Sequence, residues 1–128
     1  MSSPKGDEDI KRLLRLCQMN HWCDRLDEIE DWSSVLSLGE QQKMAFIRIL
    51  HMKPNWVFLD EVTSSMDEET ETYFYSILFL ELANHTTIIS VGHRNNLRQF
   101  HQVEVAFRNG NVEVISLCTN KLQYITHF

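Results

Sequence analysis

Two adjacent carboxylates and a later histidine are the residues of this 128-residue chain best suited to chemistry. Asp60 and Glu61 follow the apolar run Trp56–Leu59, which predicts a buried strand of a parallel sheet. His93 follows a second strand-like run, Thr87–Val91. Ligands of open α/β sheets bind at the carboxyl ends of strands, so these side chains could handle a metal and a water molecule there. Taken alone, the first run could equally be a core strand followed by an acidic turn.

Two further motifs accompany these residues. The run Ser64–Asp67 follows the carboxylates almost at once, and the run Leu36–Gln42 (Leu-Ser-Leu-Gly-Glu-Gln-Gln) lies upstream of them. In the second motif, Ser37 and Glu40 form a capping-box pattern, which predicts a helix that must stop before Pro54. Ser37 could be an N-cap only, but a capped helix N-terminus beside a glycine is also a binding site for anionic phosphate.

In this order, the motifs resemble the C-terminal part of an ATP-binding cassette (ABC) ATPase domain. The resemblance assigns the signature motif to residues 36–42, Walker B to 56–61, the D-loop to 64–67 and the H-loop to the region of His93. The spellings Leu-Ser-Leu-Gly-Glu-Gln-Gln and Ser-Val-Gly-His-Arg are most similar to subfamily D, the peroxisomal fatty-acyl transporter type, and to its bacterial uptake relatives. The resemblance covers roughly residues 10–117.

The resemblance implies catalytic and metal-binding roles in ATP hydrolysis, which needs a cation, an oriented water molecule and donors to the γ-phosphate. Glu61 would be the general base or water-orienting carboxylate. His93 would contact the γ-phosphate and hold the attack geometry. Asp60 would hold Mg²⁺ through water. The expected cofactor and substrate are therefore Mg²⁺ and ATP, in the complete domain.

The resemblance also implies residues that act across a dimer. Ser37, Gly39 and Gln41 would belong to the signature surface that is offered to ATP held by the opposite subunit. Ser64 and Asp67 would belong to the D-loop, which crosses the dimer interface and links the two nucleotide sites. The expected partners are the remainder of the ABC domain, transmembrane domains and a second nucleotide-binding domain.

A phosphate-binding loop is missing from the sequence. No Gly-x-x-x-x-Gly-Lys-Ser/Thr occurs, because none of the glycines pairs at that spacing ahead of Lys-Ser or Lys-Thr. The adenine-stacking aromatic and the Q-loop glutamine of the family also have no visible counterpart. The chain by itself is therefore expected to bind Mg-ATP poorly and to hydrolyse it negligibly.

The expected fold is α/β: a partial P-loop NTPase fold with parallel core strands, flanking helices, an N-terminal helical subdomain and a C-terminal β-hairpin. Residues 1–35 are expected to be part of the helical subdomain, and residues 36–128 the C-terminal part of the ABC ATPase core. Apolar residues recur at helical spacing from Asp9 to about Arg25, which predicts an amphipathic helix. The acidic segment 27–31 is expected to be a solvated connector.

Apolar spacing also predicts which faces of two later helices point inward. The inward residues of the helix that follows Ser37 should be Met44, Ala45, Ile47 and Leu50. A second helix should begin after the N-cap Asp67, with the inward residues Phe74, Ile77 and Leu78.

A β-hairpin is expected near the end of the chain. Val103–Phe107 and Val112–Leu117 flank an Asn-Gly pair, which is a strong hairpin signal. Residues 121–128 carry no recognisable motif.

Composition excludes several classes of protein. A formal net charge of −6 with scattered Lys and Arg argues against a nucleic-acid surface. No apolar run approaches the length of a membrane span, and the polar N-terminus does not read as a secretory signal. An odd number of cysteines indicates free thiols in a reducing compartment. Cys17, His21 and Cys23 match no standard zinc spacing, so a metal-free role is expected.

Three hypotheses of function remain open from the sequence. The first is a nucleotide-binding domain fragment of an ABC transporter, on the cytosolic side of a peroxisomal, other organellar or bacterial inner membrane, coupling ATP binding and hydrolysis to transport. The second is a non-catalytic docking or split-cassette module that pairs with a P-loop-bearing partner. The third is an ABC-type ATPase of chromosome maintenance or repair, which the acidic composition disfavours.

Overall fold

The computed structural model describes residues 4–82, 84–117 and 124–127. Contacts divide the chain into two compact units, residues 1–52 and 53–128. The predicted boundary between residues 35 and 36 separates two subdomains of the family. The division into compact units does not test it, so it stays a prediction.

The first unit is helical. Its elements are α1 (Pro4–Leu16), a 3₁₀ turn (Asn20–Trp22), α2 (Trp32–Val35) and α3 (Leu38–Met52). The acidic segment 27–31 forms neither helix nor strand, in agreement with its prediction as a connector.

Helix α1 ends earlier than its apolar spacing predicts. The expected helix to about Arg25 is wrong beyond Leu16, because Gln18 adopts a left-handed φ of 58° that stops the helix. The Met19 N–H then donates to the Leu14 carbonyl over 2.8 Å, which is the long hydrogen bond of a Schellman cap. Of the apolar residues that continue the pattern, Met19 and Trp22 are still buried, but Leu26 is exposed. The predicted burial is therefore confirmed for Met19 and Trp22 and wrong for Leu26, and the helical path is wrong beyond Leu16.

Helix α3 begins and ends as predicted. It starts directly after Ser37 and stops at Met52, ahead of Pro54. Ile47 and Leu50 are buried as expected, but Ala45 is exposed, and the buried position beside Ile47 belongs to Phe46 instead. The predicted inward face is thus confirmed at Ile47 and Leu50 and wrong at Ala45, and Met44 is half-buried.

The second unit is a five-stranded sheet with one long helix. Its elements are β1 (Trp56–Asp60), α4 (Glu68–Leu82), β2 (Thr87–Val91), a 3₁₀ segment (Asn95–Phe100), β3 (Val103–Arg108), β4 (Asn111–Ser116) and β5 (Tyr124–His127). The strand order is β1-β2-β5-β3-β4. Strands β1 and β2 pair in parallel, and β3 and β4 pair antiparallel. The predicted α/β class, parallel core strands and C-terminal hairpin are therefore confirmed.

The hairpin turn follows from its sequence. Asn109 and Gly110 both have positive φ, 50° and 78°, as a two-residue type I′ turn requires. Asparagine and glycine tolerate this conformation better than other residues, so the Asn-Gly pair predicted the turn correctly.

The last strand, β5, was not anticipated. It pairs in parallel with both β2 and β3 and so occupies the middle of the sheet. The sequence of residues 121–128 offered no motif, and residues 121–123 and 128 lie outside the described ranges.

One face of the sheet carries the core of the second unit. Val57 and Leu59 are buried on this face, and so is Ser90 of β2, which is hydrogen-bonded to the side chains of Tyr75 in α4 and of His101. On the opposite face, Phe58 is 72% exposed. The prediction of a fully buried β1 is therefore wrong on that face, because no described residue covers Phe58.

Candidate functional site

Strands β1 and β2 deliver the predicted catalytic side chains to one edge of the sheet. The register pairs Asp60 with Val91, the last residues of the two strands. The Glu61 N–H extends this pairing by donating to the Val91 carbonyl over 3.1 Å. Glu61 and His93 therefore emerge side by side at the carboxyl ends of adjacent parallel strands, where ligands bind in open α/β sheets.

Glu61 and His93 are in direct contact. Glu61 Oε1 lies 2.8 Å from His93 Nε2, although 49% and 64% of the two side chains are exposed. Both residues line a cavity of about 200 Å³. The two groups can therefore address the same ligand atom in this cavity.

The backbone of Glu61 is held in an uncommon conformation. Its φ is 46°, in the left-handed region that residues other than glycine seldom adopt. The Glu61 carbonyl accepts a hydrogen bond from the Ser64 N–H over 3.0 Å, and its own N–H is bonded to β2. Local strain that is fixed by surrounding hydrogen bonds is a feature of functional sites.

Gly92, directly before His93, allows the backbone to pass close to the side chain of Leu97. A Cβ atom at this position would lie 2.6 Å from Leu97 Cδ1, and Leu97 is buried. Only glycine fits here without moving the core of the second unit.

Asp60 is exposed at the end of β1. No group of three or more His, Cys, Asp or Glu side chains within the described ranges could enclose a metal ion. Mg²⁺, however, is commonly held by one or two carboxylates with water and substrate phosphates supplying the remaining oxygens. The donor chemistry of Asp60 fits that mode of binding.

The predicted D-loop residues lie between β1 and α4. Asp67 is the N-cap of α4, as predicted, and its Oδ1 atom accepts a hydrogen bond from the Thr70 N–H over 2.7 Å. This hydrogen bond holds the pKa of the Asp67 carboxyl below its usual value. Ser64 is exposed, and its N–H is bonded to Glu61.

The predicted signature residues lie in the first unit, at the start of α3. Ser37 and Glu40 form the predicted capping box: the Glu40 N–H donates to Ser37 Oγ over 3.3 Å, and the Ser37 N–H donates to Glu40 Oε2 over 3.0 Å. Gln41 Nε2 donates to the Leu36 carbonyl over 3.0 Å. A Cβ atom at Gly39 would meet no atom within 4 Å, so the helix start is open beside it.

Glu40 is the most heavily hydrogen-bonded side chain of this segment. Besides the capping box, Glu40 Oε1 lies 2.8 Å from His21 Nε2 and accepts a hydrogen bond from Trp22 Nε1 over 3.1 Å. The hydrogen bond from the Ser37 backbone, followed by that of His21, lowers the pKa of Glu40 to about 2. The carboxylate therefore stays charged at every physiological pH.

Three curated proteins show what this chain is similar to. An uncharacterized ABC transporter ATP-binding protein of Haemophilus influenzae is 45% identical over 97 residues, covering 76% of this chain and 16% of the relative. The chloroplastic ABC transporter D family member 2 of Arabidopsis thaliana is 44% identical over 101 residues, covering 77% and 14%. The human lysosomal cobalamin transporter ABCD4 is 38% identical over 114 residues, covering 85% and 18%. The chain is homologous to ABC transporter ATP-binding proteins.

The resemblance to subfamily D is thus confirmed, because these ABC relatives include D-family members of plants and animals. No protein-family model matches the chain. The chain spans less than a fifth of the length of these relatives, between 14% and 18% of the three described above. None of the described helices combines the length and apolar character needed to cross a bilayer.

Sequence reasoning overlooked part of the candidate site. Thr63, Glu71 and Arg94 also line the cavity beside Glu61 and His93. Glu71 carried a detectable signal: it lies on α4 at helical spacing from the buried Phe74, so a charged residue occupies the inward face. Thr63 had no comparable signal.

Proposed function

We propose that this chain is the C-terminal part of the ATP-binding domain of an ABC transporter and contributes to the ATP hydrolysis that drives transport. The observation that carries the proposal is the 2.8 Å contact between Glu61 and His93 at the ends of two adjacent parallel strands. Homology to ABC transporter ATP-binding proteins supports it and does not favour a non-catalytic docking module.

Glu61 would orient the attacking water and accept its proton. A carboxylate suits this role when it lies beside the substrate cavity, as Glu61 does. The strained backbone of Glu61 supports the assignment, because main-chain hydrogen bonds to Val91 and Ser64 fix the position from which the side chain projects. His93 would contact the γ-phosphate and keep the attack in line.

Asp60 would hold Mg²⁺ through water at the end of β1. When bound, Mg²⁺ neutralises charge on the phosphate oxygens. Asp60 is the last residue of β1, and Glu61 follows it in a left-handed conformation. One acid would serve the cation while the other serves the water.

The signature and D-loop residues would act on a second nucleotide-binding domain. Ser37, Gly39 and Gln41 would present the start of α3 to the ATP of the opposite subunit, which fits an open helix N-terminus beside a glycine. Ser64 and Asp67 would lie at the dimer interface. Asp67 is already the N-cap of α4, so it would place this backbone segment rather than bind nucleotide itself.

The remaining partners follow from the same assignment. The rest of the ATP-binding domain, which supplies the P-loop, and the transmembrane domains would complete the transporter. The chain would then lie on the cytosolic side of a membrane.

A fusion tests the proposal. A P-loop-bearing segment of an ABC ATP-binding domain is joined ahead of the full 128-residue chain, and phosphate release from Mg-ATP is measured. The chain alone should show negligible turnover and the folded fusion clear turnover. Robust hydrolysis by the chain alone, or a folded fusion that binds ATP without hydrolysing it, would overturn the proposal.

A further inference from the structure

A buried carboxylate lies in the wall of the cavity and has no part in the proposed chemistry. Glu71, near the start of α4, is 3% exposed. Thr63 Oγ1 donates a hydrogen bond to Glu71 Oε1, and Asn96 Nδ2 donates one to Glu71 Oε2 over 2.9 Å. Arg94 Nη1 lies 3.4 Å from Oε2 and completes an ion pair. Glu71 therefore connects α4 to the segment after β1 and to the segment after β2.

Arg94 also connects the segment after β2 to the segment after β1. Its Nη1 atom also donates to the Met66 carbonyl over 2.9 Å. Because Arg94 directly follows His93, one guanidinium group ties the histidine segment both to the loop after β1 and to Glu71.

The contact between Glu61 and His93 cannot maintain its own geometry. Both side chains are about half exposed or more, and an exposed polar contact contributes little to stability against the entropy of holding two side chains in place. Two nearby residues are hydrogen-bonded to the buried Glu71: the buried Thr63, two residues after Glu61, and the partly exposed Arg94, one residue after His93. Both hydrogen bonds converge on the carboxylate of Glu71.

Keeping this carboxylate buried has an energetic cost. Glu71 lies on the inward face of α4 with Phe74 and Leu78, where an apolar residue of similar size would avoid the desolvation of a charge. An ion pair with a buried carboxylate is weak evidence for stability and can instead select one arrangement of the groups around it. The groups bonded to Glu71 belong to the two loops that carry Glu61 and His93.

We propose that Glu71 and Arg94 form a positioning pair, which couples the loop after β1 to the loop after β2 and so holds Glu61 and His93 on one phosphate. The inference rests on the proposed function for its catalytic consequence. The coupling of the two loops is a property of the chain by itself.

The coupling is tested first in the full 128-residue chain, without nucleotide. Amide hydrogen exchange is compared between the wild type, Glu71→Gln and the control Glu69→Gln, which alters an exposed side chain on the same helix. Glu71→Gln keeps the size of the side chain but removes the charge that binds Arg94. We expect several-fold faster exchange in both loops, residues 61–66 and 92–96, with the protection of β1 and β2 unchanged.

The kinetic consequence is tested in the active fusion. Glu71→Gln should lower kcat roughly 100-fold while KM stays unchanged, because a displacement of about 1 Å at the reacting groups has an effect of that order. Arg94→Lys is the second variant, which alters the half-exposed member of the pair and keeps its charge. It should give the same pattern with a smaller loss, because an ammonium group cannot copy the geometry of a guanidinium.

Two results would overturn the inference. One is amide exchange that becomes faster in only one loop, or equally across the whole second unit. Glu71 would then hold that loop alone, or stabilise the fold in general, and would not couple the two loops. The other is an unchanged kcat per folded molecule in both variants. If the wild-type fusion itself lacks turnover, the proposed function fails, while the exchange experiment on the chain still decides whether the pair couples the loops.

Discussion

The two regions that carry the predicted site residues are organised in different ways. At the start of α3, the Ser37 hydroxyl donates to the Glu40 carboxylate across three positions, and Gln41 donates to a carbonyl five positions away. At the edge of the sheet, Arg94 bonds Met66 and Glu71 across 28 and 23 positions. The cap of α3 is thus formed between neighbours in sequence, although Glu40 also bonds His21 and Trp22 across 19 and 18 positions. The carboxylate–histidine cluster (Glu61, Glu71, His93 and Arg94) is held by distant parts of the chain.

This difference predicts how each region responds to substitution. A change at the start of α3 should remain local to that helix. A substitution in the cluster should alter both loops, the one after β1 and the one after β2, because the two loops share hydrogen bonds to Glu71. It should lower the turnover of ATP more than the binding of ATP.

The largest effect is expected for Glu61→Gln in the active fusion. The amide cannot accept the proton of the attacking water, so kcat should fall roughly 10²–10⁴-fold, the range of general acid–base catalysis. Phosphate release is the measurement, and ATP binding should persist. Glu69→Gln is the matched control and should keep wild-type turnover. A variant Glu61→Gln with near-normal kcat would remove the basis for assigning Glu61 to the water.

Several features were readable from sequence because their causes are local. The capping box at Ser37 fixed the start of α3, and Asn109-Gly110 fixed the hairpin turn through two positive φ angles. The parallel strands β1 and β2 were readable from their apolar runs and from the family resemblance.

The features that sequence missed depend on distant contacts. Strand β5 lies in the middle of the sheet because it pairs with β2 and β3, and no motif in its own residues predicts that position. The end of α1 depends on Gln18 in a left-handed conformation, which glycine would have signalled but glutamine does not. Thr63 became identifiable as part of the cavity only once its hydrogen bond to Glu71 was known.

The next largest effect is on stability, and it should differ between the glycines of the two regions, Gly92 and Gly39. Gly92→Ala should destabilise the second unit by about 1–3 kcal/mol, because the new Cβ atom would lie 2.6 Å from the buried Leu97. Gly39→Ala, where the space is open, should be neutral or stabilise α3 by up to about 1 kcal/mol. Denaturant unfolding of the full chain measures both. Equal effects of the two substitutions would contradict the difference in packing around the two glycines.

A smaller effect is expected for Ser37→Ala. Losing the hydroxyl leaves the Glu40 N–H without its cap, which should lower stability by about 1 kcal/mol. Faster amide exchange should be confined to the first turn of α3, whereas Glu71→Gln affects two loops. Ser37→Thr keeps the hydroxyl and should restore most of the lost stability. Faster amide exchange throughout the first unit would contradict the expectation that the loss of the Ser37 cap affects only the start of α3.

The smallest effect concerns the charge of Glu40. Its folded pKa is lowered to about 2 from a usual value of 4.5, first by the Ser37 N–H and then by His21. A depressed folded pKa gives stability that is fully present above the unfolded pKa and is lost as the pH falls through the folded value. The difference in thermal midpoint between the wild type and Glu40→Gln should therefore reach its full size above about pH 5 and should shrink toward pH 2. Because Gln keeps an acceptor and Glu40 is only partly shielded from solvent, the difference should be modest. A difference that stays constant over this range would show that the hydrogen bonds act on Glu40 without stabilising its charge.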